Sequence, residues 1–280
     1  MANWGDRTWL ITGASTGFGR AMADLVLSRG GRVIATARDA SMLSDLVDSS
    51  AGRAIGVALD VSDPEQIATV MERVEAFGGA DVLFNNAGYG FLGGLEESST
   101  EEIARQFDVN LFAPIRLAKG VLPGMRERGG GYIVNMSSIA GVRGFPGSGF
   151  YSGSKFALEG VSEALAGEVA PFGIGVMIVE PGYFRTDFAG RSIRMAASPH
   201  PAYGELARRR AQVQEVDGAQ PGDPVRGVAA ILKAMEAETP PLRLALGPDA
   251  YEFATEALDR RRAELDRWTE ITRSTDFTGG

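Results

Sequence analysis

The sequence predicts an α/β protein: a doubly wound parallel sheet of about seven strands, with a helical C-terminal tail. Three observations predict it. Short runs of β-type apolar residues alternate with stretches of helical periodicity. The runs are apolar throughout, as in strands with helices on both faces of the sheet. A glycine cluster lies between the first run and the first helix.

Trp9-Leu10-Ile11-Thr12 reads as the first strand, followed by a helix from about Gly19 to Ser28. Arg32 to Thr36 is the second strand, after which Asp39 can cap a helix carrying Met42, Leu43, Leu46 and Val47. Ala54 to Leu59 is the third. Asp63-Pro64-Glu65-Gln66 then opens a helix, with an N-cap, proline at the first helical position and acid in the first turn. Val82-Leu83-Phe84 is the fourth strand. One long helix is expected over roughly Glu101 to Arg126, kinked at Pro114. Tyr132 to Met136, Gly175 to Val179 and Leu242 to Leu246 complete the strands, with a helix from Gly149 to about Ala170. Residues 182–224, rich in Gly, Pro and Arg, read as an irregular substrate loop at the carboxyl edge of the sheet. Residues 249–273 read as a charged C-terminal helical extension.

Composition narrows the chemistry. The 280 residues contain no cysteine and one histidine, His200. Thiolate catalysis, disulfides and Cys-ligated metal are excluded, no metal site is expected, and a triad would have to use His200 in a Ser-Pro-His-Pro turn. Asp plus Glu exceeds Lys plus Arg by 36 to 28, a net charge of −8 that argues against nucleic acid as a partner. No apolar run reaches the ~20 residues of a membrane span, and the N-terminus lacks a signal-peptide pattern, so a cytoplasmic protein without membrane partners is expected.

Thr12-Gly13-Ala14-Ser15-Thr16-Gly17-Phe18-Gly19 stands where a dinucleotide's pyrophosphate would be held. Gly13 permits the turn, Gly17 admits the phosphates to the backbone, and Gly19 lets the helix pack closely. The helix N-terminus offers free N–H groups to the anion. The second strand ends in Ala37-Arg38, without the acid that would bind a ribose 2′-hydroxyl. A guanidinium suits a 2′-phosphate, so NADP(H) is expected over NAD(H).

Tyr151-Ser152-Gly153-Ser154-Lys155 sets Tyr and Lys four apart on one helix face. A phenol near pKa 10 is a poor proton shuttle until a neighbouring ammonium favours its anion. Ser138 lies 13 residues before Tyr151, at the end of the fifth strand, where a hydroxyl can face the same cleft. Ser137 is its competitor, since adjacent strand residues point oppositely.

These residues together resemble the short-chain dehydrogenase/reductase family, in its compact single-domain subgroup and its hydroxysteroid and retinol dehydrogenase-like branch. The resemblance rests on the Thr12–Gly19 loop, Asp60-Val61, Asn85-Asn86-Ala87-Gly88, Asn110, Ser138, Tyr151, Lys155, Pro181-Gly182 and Thr186. It implies a Rossmann-type fold with residues 1–280 as one catalytic domain. Tyr151 would act as general acid in carbonyl reduction and base in alcohol oxidation. Lys155 would lower the Tyr151 pKa and bind the nicotinamide ribose. Ser138 would hold the substrate oxygen, and Asn110 a water linking Lys155 to solvent. Asp60 and Val61 would meet adenine, Asn86, Ala87 and Gly88 line the cofactor cleft, and Pro181, Gly182 and Thr186 seat the nicotinamide amide. Homodimers or homotetramers are expected through the helices of Asn110 and Tyr151.

Around this site stand Tyr89, Phe91, Phe145, Phe150, Tyr183 and Phe184, with Leu92, Pro146 and Phe188 nearby. They suit a lipophilic ketone, aldehyde or secondary alcohol. Arg143, Arg185, Arg191 and Arg194 could instead meet a substrate carboxylate, though solvated loop charge is the commoner fate of such residues. The competing functions are a cofactor-sensing regulator on the same fold, which has no need of the Tyr-Lys pair, and an NAD-dependent alcohol dehydrogenase. A nucleotide-sugar epimerase would show a different glycine spacing.

Overall fold

β1 (Thr8–Ile11) shows why the strands read as unbroken apolar runs. Trp9 and Ile11 point to one face of the sheet and Leu10 to the other, and all three are fully buried. On the first face they meet Met22, Ala23 and Val26 of α1 (Gly17–Ser28). Further along the chain, Val228, Ile231 and Leu232 complete that layer. On the second face, Leu10 joins Ile67, Val70 and Val74 of the third helix and Leu117, Val121 and Met125 of the fifth. With both faces covered, no strand needs a polar side.

The computed structural model describes residues 3–188, 190–215 and 217–277. After β1 and α1 come β2 (Arg32–Ala37), α2 (Ser44–Ser49), β3 (Ala54–Ala58), α3 (Pro64–Ala76), β4 (Val82–Asn85) and β5 (Gly90–Leu92). Then follow α4 (Thr100–Phe107), α5 (Ala113–Glu127), β6 (Gly131–Met136), α6 (Gly149–Val169), β7 (Ile174–Pro181), β8 (Ile193–Met195) and α7 (Gly204–Glu215). α8 (Pro224–Met235), β9 (Arg243–Leu246), α9 (Pro248–Arg267) and α10 (Thr269–Arg273) close the chain. Seven strands form one sheet in the order β3-β2-β1-β4-β6-β7-β9, parallel throughout. The chain steps outward from β1 one way, then returns to β4 and steps the other way. The loops after β1 and β4 therefore diverge and open a crevice at the carboxyl edge.

Two expectations need correction. The helix expected over 101–126 is three segments: α4, a π turn at Asp108–Phe112, and α5. Pro114 sits in the first turn of α5 and has no N–H for the Asn110 carbonyl, so a regular ladder cannot run through. The described part of residues 182–224 is only partly irregular. It contains β8, which pairs in parallel with β5, and the three-turn helix α7. This segment covers the crevice as a lid.

Glu97 anchors the lid. Its carboxylate is 2% exposed and accepts from the Gly94 N–H at 2.7 Å, the His200 N–H at 2.9 Å and the Arg210 guanidinium of α7 at 2.7 Å. Those donors, Arg210 first, hold its pKa at about 2 against the ordinary 4.5. A depressed folded pKa means the charge stabilises the fold above pH 4.5, and that contribution is lost as pH falls toward 2. Glu97→Gln should lower Tm by about 3–6 °C at pH 7. The gap to wild type should close between pH 4.5 and 2, and a gap independent of pH would refute this role for the charge.

Candidate active site

The crevice is a cavity of about 430 Å³ running from Arg38 to the lid. Its floor is the turn after β1. Thr12 Oγ accepts from the Asn86 and Ala87 N–H groups, both at 3.0 Å. The Asn86 amide donates back to the Thr12 carbonyl at 2.9 Å and the Gly13 carbonyl at 3.1 Å. The two diverging loops are thereby stitched together. Gly13 and Gly17 have φ of 66° and 58°, a region that favours glycine. A Cβ on Gly19 would lie 2.3 Å from the Gly13 carbonyl oxygen, so this residue sets the approach of α1 to the turn. Gly13, Ser15, Thr16, Gly17 and Phe18 line the cavity; Gly19, whose part is packing, does not.

Arg38, Asp60, Val61 and Arg105 line the far end. Arg38 is exposed and has no ion-pair partner among the described residues, whereas Arg20, on α1, is tied to Asp45 at 2.6 Å. Asp60 accepts from the Ser62 hydroxyl at 2.6 Å and backbone N–H at 3.0 Å, which hold its carboxyl below the usual range. Arg105 carried no signal in the sequence, because only the fold brings α4 beside the end of β3.

At the other end α6 presents Tyr151 and Lys155, one turn apart. Lys155 Nζ donates to the Met136 carbonyl at 2.7 Å and stands 5.9 Å from the centre of the Tyr151 ring. Ser138 caps the turn after β6, its Oγ accepting from the Ala140 N–H at 3.1 Å. Burial pushes the Tyr151 phenol up to about 12, with the nearby Ser138 hydroxyl pulling the other way. Burial also lowers Lys155 to about 8, opposed by the charge of Glu159 one turn on. Ser137 turns away from the phenol and donates to Glu159 at 2.6 Å. Behind it Glu159 and Glu180 are both raised, chiefly by burial, and share Arg243 at 3.5 and 3.6 Å.

Asn110 lies behind the cavity wall. Its Oδ1 accepts from the Tyr89 N–H at 3.1 Å, and its Nδ2 donates to the Tyr89 carbonyl at 3.0 Å and Ser154 Oγ at 3.4 Å. The side chain holds the main chain at Tyr89 on both sides and reaches α6 through Ser154. Gly88 passes so close that a Cβ would meet Asn110 Oδ1 at 3.2 Å. Asn86, Ala87, Gly88, Pro181, Gly182 and Thr186 all line the cavity.

Tyr89, Phe91, Phe145, Phe188, Tyr183 and Phe184 form the aromatic wall. Phe150 does not reach it, because one residue before Tyr151 on a helix lies ~100° around the axis. Of the four arginines weighed for a carboxylate, Arg143 pairs with Glu256, Arg191 with Asp187, and Arg185 donates to the Gln220 carbonyl. Arg194 lies over the Tyr89 ring at 5.3 Å. No signal in the sequence points to α9 as part of the site. Its Asp249 accepts from the Tyr183 N–H at 2.6 Å, and Phe253 packs edge-on to Phe145 at 5.9 Å.

The fold and this site define a nucleotide-binding oxidoreductase of Rossmann type. The short chain dehydrogenase family matches residues 7–196, and the chain belongs to that family. It is 37% identical over 268 residues to oxidoreductase BOA17 of Botryotinia fuckeliana, covering 95% of this chain and 98% of that one. To the 3-ketodihydrosphingosine reductase of Bacteroides thetaiotaomicron it is 39% identical over 241 residues, 85% and 87% of the two chains. Human retinol dehydrogenase 8 is 37% identical over 203 residues, 69% of this chain and 65% of that one. A short-chain dehydrogenase from Streptomyces avermitilis superposes with TM-score 0.92 at 48% identity, covering 97% and 100%. Two family structures at 26% identity hold cofactor: one from Burkholderia phymatum with NAD (TM-score 0.80; 100% and 99% covered) and one from Burkholderia cenocepacia with NADP (0.74; 95% and 98%). No helix among the described residues is long and apolar enough to cross a membrane, and no group of three or more His, Asp or Glu among them could hold a metal ion.

The seating of α1 is directly testable. Gly19→Ala pushes a methyl into the Gly13 carbonyl and should cost about 1–3 kcal/mol in urea unfolding. A variant as stable as wild type would show that the turn yields freely.

Proposed function

We propose that this chain interconverts a lipophilic ketone or aldehyde and its alcohol, with NADP(H) as hydride carrier and Tyr151 as proton donor and acceptor. The observation that carries the reading is the meeting of Tyr151, Ser138 and Lys155 at one end of a cavity whose other end is the glycine turn and Arg38. The residues present fit the cofactor. Gly17 leaves the backbone open beside Thr186, whose Cβ a methyl there would meet at 3.2 Å, and Arg38 lines the cavity without an ion-pair partner among the described residues. Ser15, Thr16, Gly17 and Phe18 would hold the pyrophosphate, Arg38 the 2′-phosphate, Asp60 and Val61 the adenine, and Pro181, Gly182 and Thr186 the nicotinamide. When bound, the cofactor supplies or accepts the hydride.

The chain's own residues handle the proton. Burial keeps the Tyr151 phenol protonated at neutral pH, the state needed to donate to a carbonyl oxygen as that oxygen gains charge. The Ser138 hydroxyl, which faces the same cavity as the phenol, offers the same oxygen a second donor. In oxidation the phenol must give up its proton, and the Lys155 ammonium 5.9 Å from the ring centre favours the anion. Asn110 would hold the water that links Lys155 to solvent, through the remaining acceptor site of its Oδ1 or through its backbone carbonyl, which Pro114 leaves without its usual helical donor.

The aromatic wall supports a lipophilic substrate, and the resemblance to a ketosphingoid reductase and a retinol dehydrogenase agrees with it. For assembly, the exposed Phe112 beside α5 and Val161 on α6 support a homodimer or homotetramer through those helices.

Two measurements test the reading. Tyr151→Phe should lower reductase kcat/KM by about 10²–10⁴-fold while NADPH still binds; near-wild-type turnover would refute the mechanism. Arg38→Asp should turn a preference for NADPH into one for NADH, read as the ratio of kcat/KM values. A wild-type enzyme that already favours NADH would sink the 2′-phosphate assignment.

A further inference from the structure

The helix α7 turns one face to the molecule. Leu206, Arg209, Arg210 and Val213, spaced by three and four, are half-buried, while Ala207, Arg208, Ala211 and Gln212 are exposed. Leu206 lies against Gly94 and Gly147, Val213 lines the cavity, and Arg210 is bonded to the buried Glu97. Arg208, on the exposed side, pairs with Glu205. Arg209 lines the cavity with its guanidinium 5.5 Å from the centre of the Phe145 ring, and that guanidinium has no ion-pair or hydrogen-bond partner among the described residues. Arg194 of β8 is a second such cation. It lines the same cavity 5.3 Å from the Tyr89 ring centre and is likewise unpaired among the described residues. The carboxylates on the described cavity wall are Asp60, beside Arg38 and Arg105, and Asp187, which is bonded to Arg191.

The strand β5 fixes where the two cations lie. Gly88, just before it, passes Lys155, and a Cβ there would stand 3.7 Å from Nζ. Gly90 abuts the Phe188 ring, itself 5.9 Å from the Tyr151 ring. Phe91 pairs in register with Arg194, and Leu92 and Gly93 adjoin Arg209. From Gly90 to Gly93 the chain advances about 10 Å, at ~3.3 Å per extended residue. The guanidiniums therefore stand along the aromatic wall, outward from the Tyr151 end. Each stays charged at any working pH. A half-buried cation without a counter-ion is costly, and an apolar side chain at position 209 would complete the wall without that cost. Stacking on Phe145 recovers part of the cost but leaves the N–H fork unused. That fork matches a carboxylate or a phosphate. The chain's net charge of −8 gives no general attraction for anions, so the positive sign here is local.

We propose that Arg209 and Arg194 receive an oxyanion, carboxylate or phosphate, carried by the substrate about 10 Å from the carbonyl that Tyr151 protonates. The substrate is then an amphiphile, lipophilic between a reacting carbonyl and a charged end. This rests on the carbonyl reading above. The test is calorimetry of octanoate, octyl phosphate and the neutral methyl octanoate on wild type, Arg209→Met, Arg194→Met and Arg208→Met. Wild type should bind at least one anion ~10-fold more tightly than the ester, and the tighter anion identifies the group. Arg209→Met and Arg194→Met should each lose most of that preference. Arg209→Lys, which keeps the charge without the fork, should retain part of it. Arg208→Met removes the same charge from the exposed side and should retain it all. A wild type that binds neither anion better than the ester would overturn the inference. So would full preference in Arg209→Met or Arg194→Met, or an equal loss in Arg208→Met. Turnover of 9-oxononanoate and its methyl ester with NADPH and NADH separates the two readings. The acid should have the higher kcat/KM in wild type, through KM, and lose that advantage in Arg209→Met. Anion binding without reduction of either aldehyde would overturn the carbonyl reading and leave the anion site standing.

Discussion

The reciprocal bonds between Thr12 and Asn86 are the interaction on which the site depends. They sit where the sheet order reverses, between β1 and β4, and tie together the only two adjacent loops that must part to admit a ligand. Without them the crevice would have a defined bottom but no defined mouth. Because Asn86 also reaches the Gly13 carbonyl, the same residue that joins the loops places the turn beneath α1. The Tyr151 side of the cavity is built outward from the neighbouring strand. Asn85 donates to Asn135 at 2.8 Å, and Asn135 donates to Ser162 of α6 at 2.8 Å. A buried polar chain thus runs from β4 through β6 to the helix that carries Tyr151 and Lys155, so the glycine-turn end and the Tyr151 end of the cavity share one frame.

Electrostatically, the proton-handling end is supported from behind. Lys155 is a buried cation, and a carboxyl one helical turn away, on Glu159, offsets part of its desolvation. Glu159 is itself too buried to stand alone beside Glu180, and Arg243 of the edge strand β9 moderates the pair. The charge state of the reactive helix is therefore linked to the last strand of the sheet. Gly141 is needed for this contact, since a Cβ there would fall 2.1 Å from Glu159 Oε1. That supplies one reason for the glycines that crowd the chain between 141 and 149.

Legibility in the sequence followed the length scale of the signal. Strands buried on both faces leave unbroken apolar runs, and these mark all seven members of the main sheet. The glycine turn and the Tyr151–Lys155 pair are local in sequence, so spacing alone exposes them. β5 and β8 have three residues each and sit below any periodicity test. α7 is hidden by charge: Leu206 and Val213 are its apolar residues besides alanine, and Arg208, Arg209 and Arg210 fill its middle. The break between α4 and α5 is shifted from the expected kink because a proline disturbs the turn before it. Glu97 and Arg209 could not be found at all. What distinguishes them is the pairing, or its lack, that tertiary packing creates.

The contacts of α9 give the C-terminal segment a part in shaping the cavity. Asp249 fixes the main chain at Tyr183, and Phe253 backs the Phe145 ring, so two positions of the pocket wall are set by residues more than sixty places downstream. The shape of the cavity wall therefore depends on a helix that does not itself line the cavity. A lid moved without its tail would lose both of these supports, so the two segments form one mechanical unit around the cavity.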